Sequence, residues 1–263
     1  MKIAVSGATG RMGKLIIEAV LCSNDLELVA AVTAPGVPEI GTDAGAAIGK
    51  TTGILISDDV QDLAKADVLI DFTRPQATLA YLPFCVAHNI GVVIGTTGFD
   101  AQSKEKIVEA ARSVPVVFAP NMSVGVNSVL KLLEIAGALL SQYDCEIVEM
   151  HHKHKVDAPS GTALEMGRRV AQGRGVDFDS VAVLSREGHT GERPDGAIGF
   201  AALRGGDVVG DHTVIFAGPG ERIEISHKSG SRAGYGQGAV TAARFLKDKP
   251  NGLFSMSDVL GFN

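Results

Sequence analysis

A short strand pattern, residues 2–5, leads straight into Ser6-Gly7-Ala8-Thr9-Gly10-Arg11-Met12-Gly13, after which Leu15, Ile16, Ala19 and Val20 extend a helix-spaced stripe begun by Met12. This order of strand, glycine turn and amphipathic helix constrains the fold more than any other feature of the chain. Small residues let the backbone close on a phosphate, and the free N–H groups and dipole of a helix start favour its negative charge. The spacing is GxxGxxG rather than GxGxxG, because Thr9 stands at the third place. It points to a dinucleotide-binding βα unit, with a ligand-free glycine turn as the alternative, and it is silent about the reaction.

The following residues repeat the same logic. Strand patterns at 26–32, 53–56, 68–72, 91–94 and 116–118 are joined in the later part by helical patterns at 75–88 and 101–113. Pro83 is expected to kink the first of these helices. Strands alternating with helices predict an α/β fold, a Rossmann-type doubly wound parallel sheet, over residues 1–122. The pattern changes after that. A long helix at 123–140 and a strand at 145–150 precede a helix starting near Ser160, and strand patterns follow at 181–185, 197–203, 212–216 and 222–227. Residues 123–233 therefore read as a second, α+β domain with a mixed or antiparallel sheet. The alternation of Ile223 and Ile225 with polar neighbours predicts one wet face. The helical pattern 235–246 suggests that residues 234–263 return to the first domain.

Composition removes several classes of function. With 24 basic and 30 acidic residues the formal charge is −6, and nothing supplies the cationic excess a nucleic-acid partner requires. No apolar run is long enough to span a bilayer, and MKIAVSGATG is not a signal peptide, so no membrane partner and a cytoplasmic location are expected. Cys22, Cys85 and Cys145 are odd in number and far apart, which argues for free thiols over disulfides or zinc. Glycine, at 32 of 263 residues, is over-represented against roughly 7% in ordinary chains, as a turn-rich nucleotide-binding fold requires.

Two further places bear on chemistry. Where an acidic residue would hold the adenosine ribose, near the end of the second strand, the chain has Thr33-Ala34-Pro35. Thr33 can donate one hydrogen bond to a ribose hydroxyl, Arg11 is the nearest cation, and the choice between NADH and NADPH stays open. The second place is His151-His152-Lys153-His154-Lys155, three histidines and two lysines in an acidic chain. A solvated surface run, a metal site and a proton-transfer site for an anionic substrate all compete here. The metal reading lacks a His-x-x-x-His spacing, and no metal ligands are assigned. The proton-transfer reading gains from Ser160-Gly161-Thr162, an N-cap and first helical turn whose N–H groups form a second anion cradle. Two anion-binding elements suit a small dicarboxylate.

The run Glu149-Met150-His151-His152-Lys153-His154-Lys155-Val156-Asp157-Ala158-Pro159-Ser160-Gly161-Thr162-Ala163 resembles the signature of the dihydrodipicolinate reductase family. The resemblance extends to residues 6–13, 71–75, 95–99, 121–127 and 185–193, and so covers nearly the whole chain. It implies an NAD(P)H-dependent oxidoreductase of lysine and diaminopimelate biosynthesis, assembled as a homotetramer, that reduces a cyclic imine dicarboxylate. It further implies that Gly7, Ala8, Thr9, Gly10, Arg11 and Met12 hold the pyrophosphate. Gly95, Thr96, Thr97, Ala119, Pro120, Asn121 and Met122 would line the nicotinamide. His151 is implied as proton donor or acceptor and Lys155 as proton donor, with His152, Lys155, Gly161 and Thr162 on the substrate carboxylates. Thr33 and Ala34 replace a common acidic–arginine pair, and Met122 a common aromatic residue. The rival readings are a non-catalytic NAD(P)-sensing regulator and a reductase of another small dicarboxylate.

Overall fold

The structure, a computed structural model, describes residues 1–262. In chain order it runs β1 (Lys2–Ser6), α1 (Arg11–Leu21), β2 (Glu27–Val32), β3 (Ile56–Ser57), β4 (Val68–Asp71), α2 (Pro75–Ala87), β5 (Gly91–Ile94), α3 (Ala101–Ala111) and β6 (Pro115–Phe118). Then follow α4 (Val124–Leu139), β7 (Asp144–His151), α5 (Gly161–Arg174), α6 (Phe178–Val181), β8 (Ala182–Val183), β9 (Ile198–Arg204), β10 (Gly210–Gly218) and β11 (Glu221–Ser229). The last elements are α7 (Ala233–Leu246), β12 (Gly252–Phe254) and α8 (Met256–Leu260). Two compact units result: Met1–Val124 together with the chain from Arg232 onward, and Gly125–Ser231.

The first unit is built on a seven-stranded parallel sheet of order β12-β6-β5-β4-β1-β2-β3. Strands β4 and β5 are buried along their whole length, which is why they read as apolar runs, broken only by Asp71 at the end of β4. Alternate residues serve opposite faces. Ile3 and Val5 join a core with Ile16 and Ile17 of α1 and Ala239, Val240 and Leu246 of α7. Ala4 faces the other core, with Leu82 and Cys85 of α2 and Ile107 of α3. Burying each large aliphatic side chain stabilises by about 1.5–3 kcal/mol. Strand order reverses between β1 and β4, so the loops leaving their C-terminal ends diverge and open the crevice in which such sheets take ligands.

The second unit carries a mixed five-stranded sheet of order β11-β10-β7-β9-β8, with β7 antiparallel to β10 and parallel to β9. Along β7, Cys145, Ile147, Glu149 and His151 are buried, alternating with more exposed residues. That face packs on Leu130 and Leu133 of α4 and Met166 and Val170 of α5. A carboxylate and an imidazole thus stand in line with core residues.

Several sequence expectations need correction. Residues 53–56 are not a strand: only Ile56–Ser57 pair, and Leu55 makes an isolated bridge with Asp43. Residues 181–185 shrink to Ala182–Val183 because Asp177 caps a short helix through the Ser180 N–H. The helix expected over 75–88 spans Pro75–Ala87 and contains Pro83. On β11, Ile223 is 41% exposed within the chain, since an edge strand receives cover from one side only. Elements β12 and α8 carried too short a pattern to be read.

Candidate active site

In the first unit the glycine turn links β1 to α1. Gly7 adopts φ +67°, and a Cβ there would stand 2.9 Å from the Phe72 carbonyl oxygen. The Gly10 N–H donates to the Gly7 carbonyl at 2.9 Å, closing the turn. A Cβ on Gly13 would overlap that same carbonyl, so the helix approaches the strand only because residue 13 is glycine. Gly10 caps α1 without any side-chain bond, and no acidic residue stands in the first turn. The helix start therefore keeps N–H donors and positive dipole for an external anion. Arg11 is exposed beside it, and Ala8 and Met12 complete the turn.

The other proposed cofactor contacts also follow parallel strands. Thr33, after β2, is buried, and its hydroxyl bonds the Thr9 hydroxyl at 2.8 Å, so it is already tied to the glycine turn. Gly95, Thr96 and Thr97 follow β5, and a Cβ on Gly95 would run into the Phe72 ring. Ala119, Pro120, Asn121 and Met122 follow β6. The Met122 side chain is fully buried in the core with Ala239 and Val240. A Cβ on Gly238 of α7 would overlap the Met122 carbonyl, so close packing of α7 fixes this loop from behind.

One buried carboxylate links these loops. Asp71, at the end of β4 and fully buried, accepts from the hydroxyls of Ser6 (2.5 Å), Thr73 (2.7 Å), Thr96 (3.0 Å) and Thr78. Thr96 in turn accepts from the Thr73 N–H at 2.8 Å. The ends of β1, β4 and β5 and the first turn of α2 thus share a single anchor at the switch point.

In the second unit His151 closes β7. Its Nδ1 lies 2.6 Å from Glu149 Oε2, and because a carboxylate can only accept, Nδ1 carries the proton. Nε2 is left as the nitrogen able to exchange a proton with a substrate. Arg204 forks onto Glu149 through two 2.9 Å bonds and also donates to the Asp157 carbonyl at 2.7 Å. The Ser160 N–H donates to Glu149 Oε1 at 3.1 Å. Burial alone would push the Glu149 carboxyl up, but hydrogen bonds from Arg204 and His151, with their charges, hold it below the usual range.

Around this carboxylate lie the remaining candidates. Ser160 caps α5 by accepting from the Ala163 N–H, and its hydroxyl also meets His212 Nε2 at 3.1 Å. Gly161 opens α5 with nothing within 4 Å of a notional Cβ, followed by Thr162. The α5 start is thus a second place where N–H donors face outward. His152 is fixed by its backbone N–H on the Val208 carbonyl at 2.7 Å. Lys155 pairs with Asp157 at 2.8 Å, and that bond holds the Asp157 carboxyl below its usual value. His212 is buried beside His151, ring centroids 5.1 Å apart, and burial followed by the His151 charge lowers its pKa to about 4. In the loop before β9, Arg186 and Arg193 both pair with Glu146, tying that loop to β7.

Sequence reasoning missed Asp71, Glu149, Arg204 and His212. Glu149 was within reach, since two residues apart on a strand share a face. Arg204 and His212 carry no local signal: they arrive opposite His151 and Glu149 through strand register. Among the described residues no group of three or more His, Cys, Asp or Glu could hold a metal ion, and no helix is long and apolar enough to cross a membrane.

Comparison with known proteins adds to this geometry. The model described as dihydrodipicolinate reductase, N-terminus, matches residues 1–122, and that for the C-terminus matches residues 125–260. A protein of Polynucleobacter necessarius subsp. necessarius named 4-hydroxy-tetrahydrodipicolinate reductase is 59% identical over 263 residues, covering 99% of each chain. One of the same name from Cupriavidus metallidurans is 60% identical over 265 residues, again covering 99% of each. Among solved structures, a dipicolinate-bound dihydrodipicolinate reductase from Paenisporosarcina sp. TG-14 shares the fold, with TM-score 0.78, 24% identity and 97% coverage of both chains.

Proposed function

The chain belongs to the dihydrodipicolinate reductase family, and from that premise we infer that it catalyses NAD(P)H-dependent reduction of the cyclic imine dicarboxylate of lysine and diaminopimelate biosynthesis to tetrahydrodipicolinate. The observation that carries this reading to particular residues is the His151–Glu149 bond beside the outward-facing start of α5. It sets a proton-exchanging imidazole and an anion cradle in one unit, as reduction of a dicarboxylic imine requires.

The first unit fits a dinucleotide. The uncapped α1 start and the glycines that a Cβ would obstruct leave room and donors for a pyrophosphate at Gly7, Ala8, Thr9, Gly10, Arg11 and Met12. Thr33 is proposed for the ribose. Gly95, Thr96, Thr97, Ala119, Pro120 and Asn121 are proposed for the nicotinamide side, with Met122 contributing backbone alone. When bound, the nicotinamide supplies the hydride. The protein must hold, orient and protonate.

The substrate's carboxylates are assigned to His152, Lys155 and the N–H groups and hydroxyl of Gly161-Thr162. Lysine contributes charge, while the helix start contributes directed donors. As the imidazolium, with Nδ1–H held by Glu149, His151 gives its Nε2 proton to the enamine-like nitrogen or carbon that receives electron density and is left as the neutral Nδ1–H tautomer, and Lys155 is the second proton source. General acid help of this kind is worth about 10²–10⁴ in rate. The homotetramer and cytoplasmic location that accompany the family resemblance are part of the same proposal.

The test is direct. Freshly prepared dihydrodipicolinate is supplied with NADH or NADPH, and absorbance loss at the nicotinamide band is followed. Substrate-dependent oxidation is expected, and the two cofactors compared side by side give the NADH or NADPH preference. Cofactor binding with no oxidation would instead favour an NAD(P)-sensing regulator.

A further inference from the structure

The side chains of Glu149 and Arg204 reach every segment on which the proposed substrate chemistry depends. Oε2 of Glu149 accepts from His151 Nδ1 and Arg204 Nη1, and Oε1 accepts from Arg204 Nη2 and the Ser160 N–H. The Arg204 fork continues to the Asp157 carbonyl. One ion pair therefore fixes the His151 ring, the loop that carries Lys155, and the N-terminus of α5.

We propose that Glu149 and Arg204 form a positioning pair that fixes His151 in the Nδ1–H tautomer, presents Nε2 to the substrate, and indexes the α5 anion cradle to that nitrogen. This rests on the assignment of His151 as the proton-exchanging group. Neither residue touches substrate in this account. Both act through what they hold.

The local chemistry favours this role over a structural salt bridge. Glu149 is 1% exposed, yet it sits among core residues on a strand face where an apolar side chain would pack at lower cost. All four of its bonds come from N–H donors, so the site demands two acceptor oxygens. Register brings the partners in: Arg204 on β9 lies opposite His151, and His212 on β10 lies opposite Glu149. On the side of β10, a Cβ at residue 210 would stand 3.0 Å from His151 Nε2, so glycine there keeps that nitrogen uncovered. The charged or titratable groups around His151 are thus Glu149 on its own strand, Arg204 on β9 and His212 on β10, with Lys155, paired to Asp157 in the following loop, acting on His212. Arg204 balances the charge of the carboxylate that orients the imidazole.

Glu149→Gln is the informative variant. Its amide nitrogen would meet two donors whichever way it turned, so either the His151 or the Ser160 contact is lost. The expected loss in kcat/KM with dihydrodipicolinate is about 10–100-fold, within what misplacing a general acid costs. Removing the carboxylate while keeping Arg204 disfavours the imidazolium, so the alkaline limb of the pH profile moves to lower pH. Glu149→Gln added to His151→Gln is expected to cost less than about threefold more, because it acts through a group already gone. Arg204→Lys keeps the charge but not the fork; it is expected to lower kcat several-fold at unchanged NADPH affinity, and it carries the test if Glu149→Gln does not fold.

A second readout does not depend on turnover. Long-range 1H–15N correlation on protein labelled at histidine should report the Nδ1–H tautomer for His151 in the wild type and its loss in Glu149→Gln. Wild-type kinetics with an unshifted pH profile in Glu149→Gln, an Nε2–H tautomer in the wild type, or multiplicative losses in the double variant would overturn the proposal. A wild-type protein that shows the Nδ1–H tautomer but does not oxidise either cofactor would overturn the assignment of His151 instead.

Discussion

Replacing Asp71 with alanine should damage the first unit out of proportion to the side chain removed. Four hydroxyls donate to this carboxylate. Thr73 and Thr78 each have the Arg74 carbonyl as an alternative acceptor, at 3.4 and 3.3 Å. Ser6 and Thr96 are 0% and 2% exposed and have no such alternative among their bonds. Two buried hydroxyls without an acceptor cost about 1–3 kcal/mol each, or about 2–6 kcal/mol together. For a unit of this size each kcal/mol moves the melting temperature by about 2–4 °C, so a fall of about 4–24 °C is expected. Calorimetry with and without NADPH identifies which transition belongs to the first unit, because the ligand raises it. NADPH affinity should fall at least tenfold in the same variant, since the ends of β1, β4 and β5 lose their common anchor. Thr78→Val, which removes one donor, should cost only about 1 kcal/mol. A melting temperature within about 2 °C of wild type in Asp71→Ala, with normal NADPH affinity, would refute the reasoning.

Other expectations follow from the same geometry. Gly13→Ala forces a methyl group into the Gly7 carbonyl; NADPH binding measured by fluorescence should weaken at least tenfold, and unchanged binding would contradict the close strand–helix approach. His212 has a folded pKa of about 4 against 6.5 for the free side chain. Because the unfolded chain takes up this proton first, its contribution to stability is complete above pH 6.5 and is lost as pH falls towards 4. The loss is about 3 kcal/mol, and melting temperature against pH in His212→Gln should lack this component. His151→Gln should lower kcat about 10²–10⁴-fold with modest change in KM, whereas Lys155→Ala should damage both. Wild-type kinetics in both variants would refute the site.

The reach of the sequence differed between the two units for physical reasons. Buried parallel strands such as 68–71 and 91–94 announce themselves, since both faces must be apolar. The glycine turn was legible because Gly7 and Gly13 answer to backbone geometry a few residues away. The His–Lys run and the cap at Ser160 were legible as local clusters. Arg204 and His212 were not, because strand register decides what stands opposite Glu149 and His151, and register is a property of the whole sheet. The burial of Met122 was hidden for a related reason: its position along the chain follows a parallel strand, but α7, more than a hundred residues later, packs its side chain into the core. The expected strands 53–56 and 181–185 were too long because pairing at the first begins only at Ile56 and the helix capped by Asp177 runs to Val181 at the second.

The central claim is that this chain moves a hydride to a cyclic imine dicarboxylate under the control of the His151 site. Incubating the protein with dihydrodipicolinate and NADPH deuterated at the transferable C4 position, followed by mass measurement of the product, tests it most directly. Tetrahydrodipicolinate one mass unit heavier than that formed with unlabelled cofactor is expected, with the yield per unit time falling sharply in His151→Gln. Oxidation of the cofactor without deuterium in the product, or no product at all, would contradict the account.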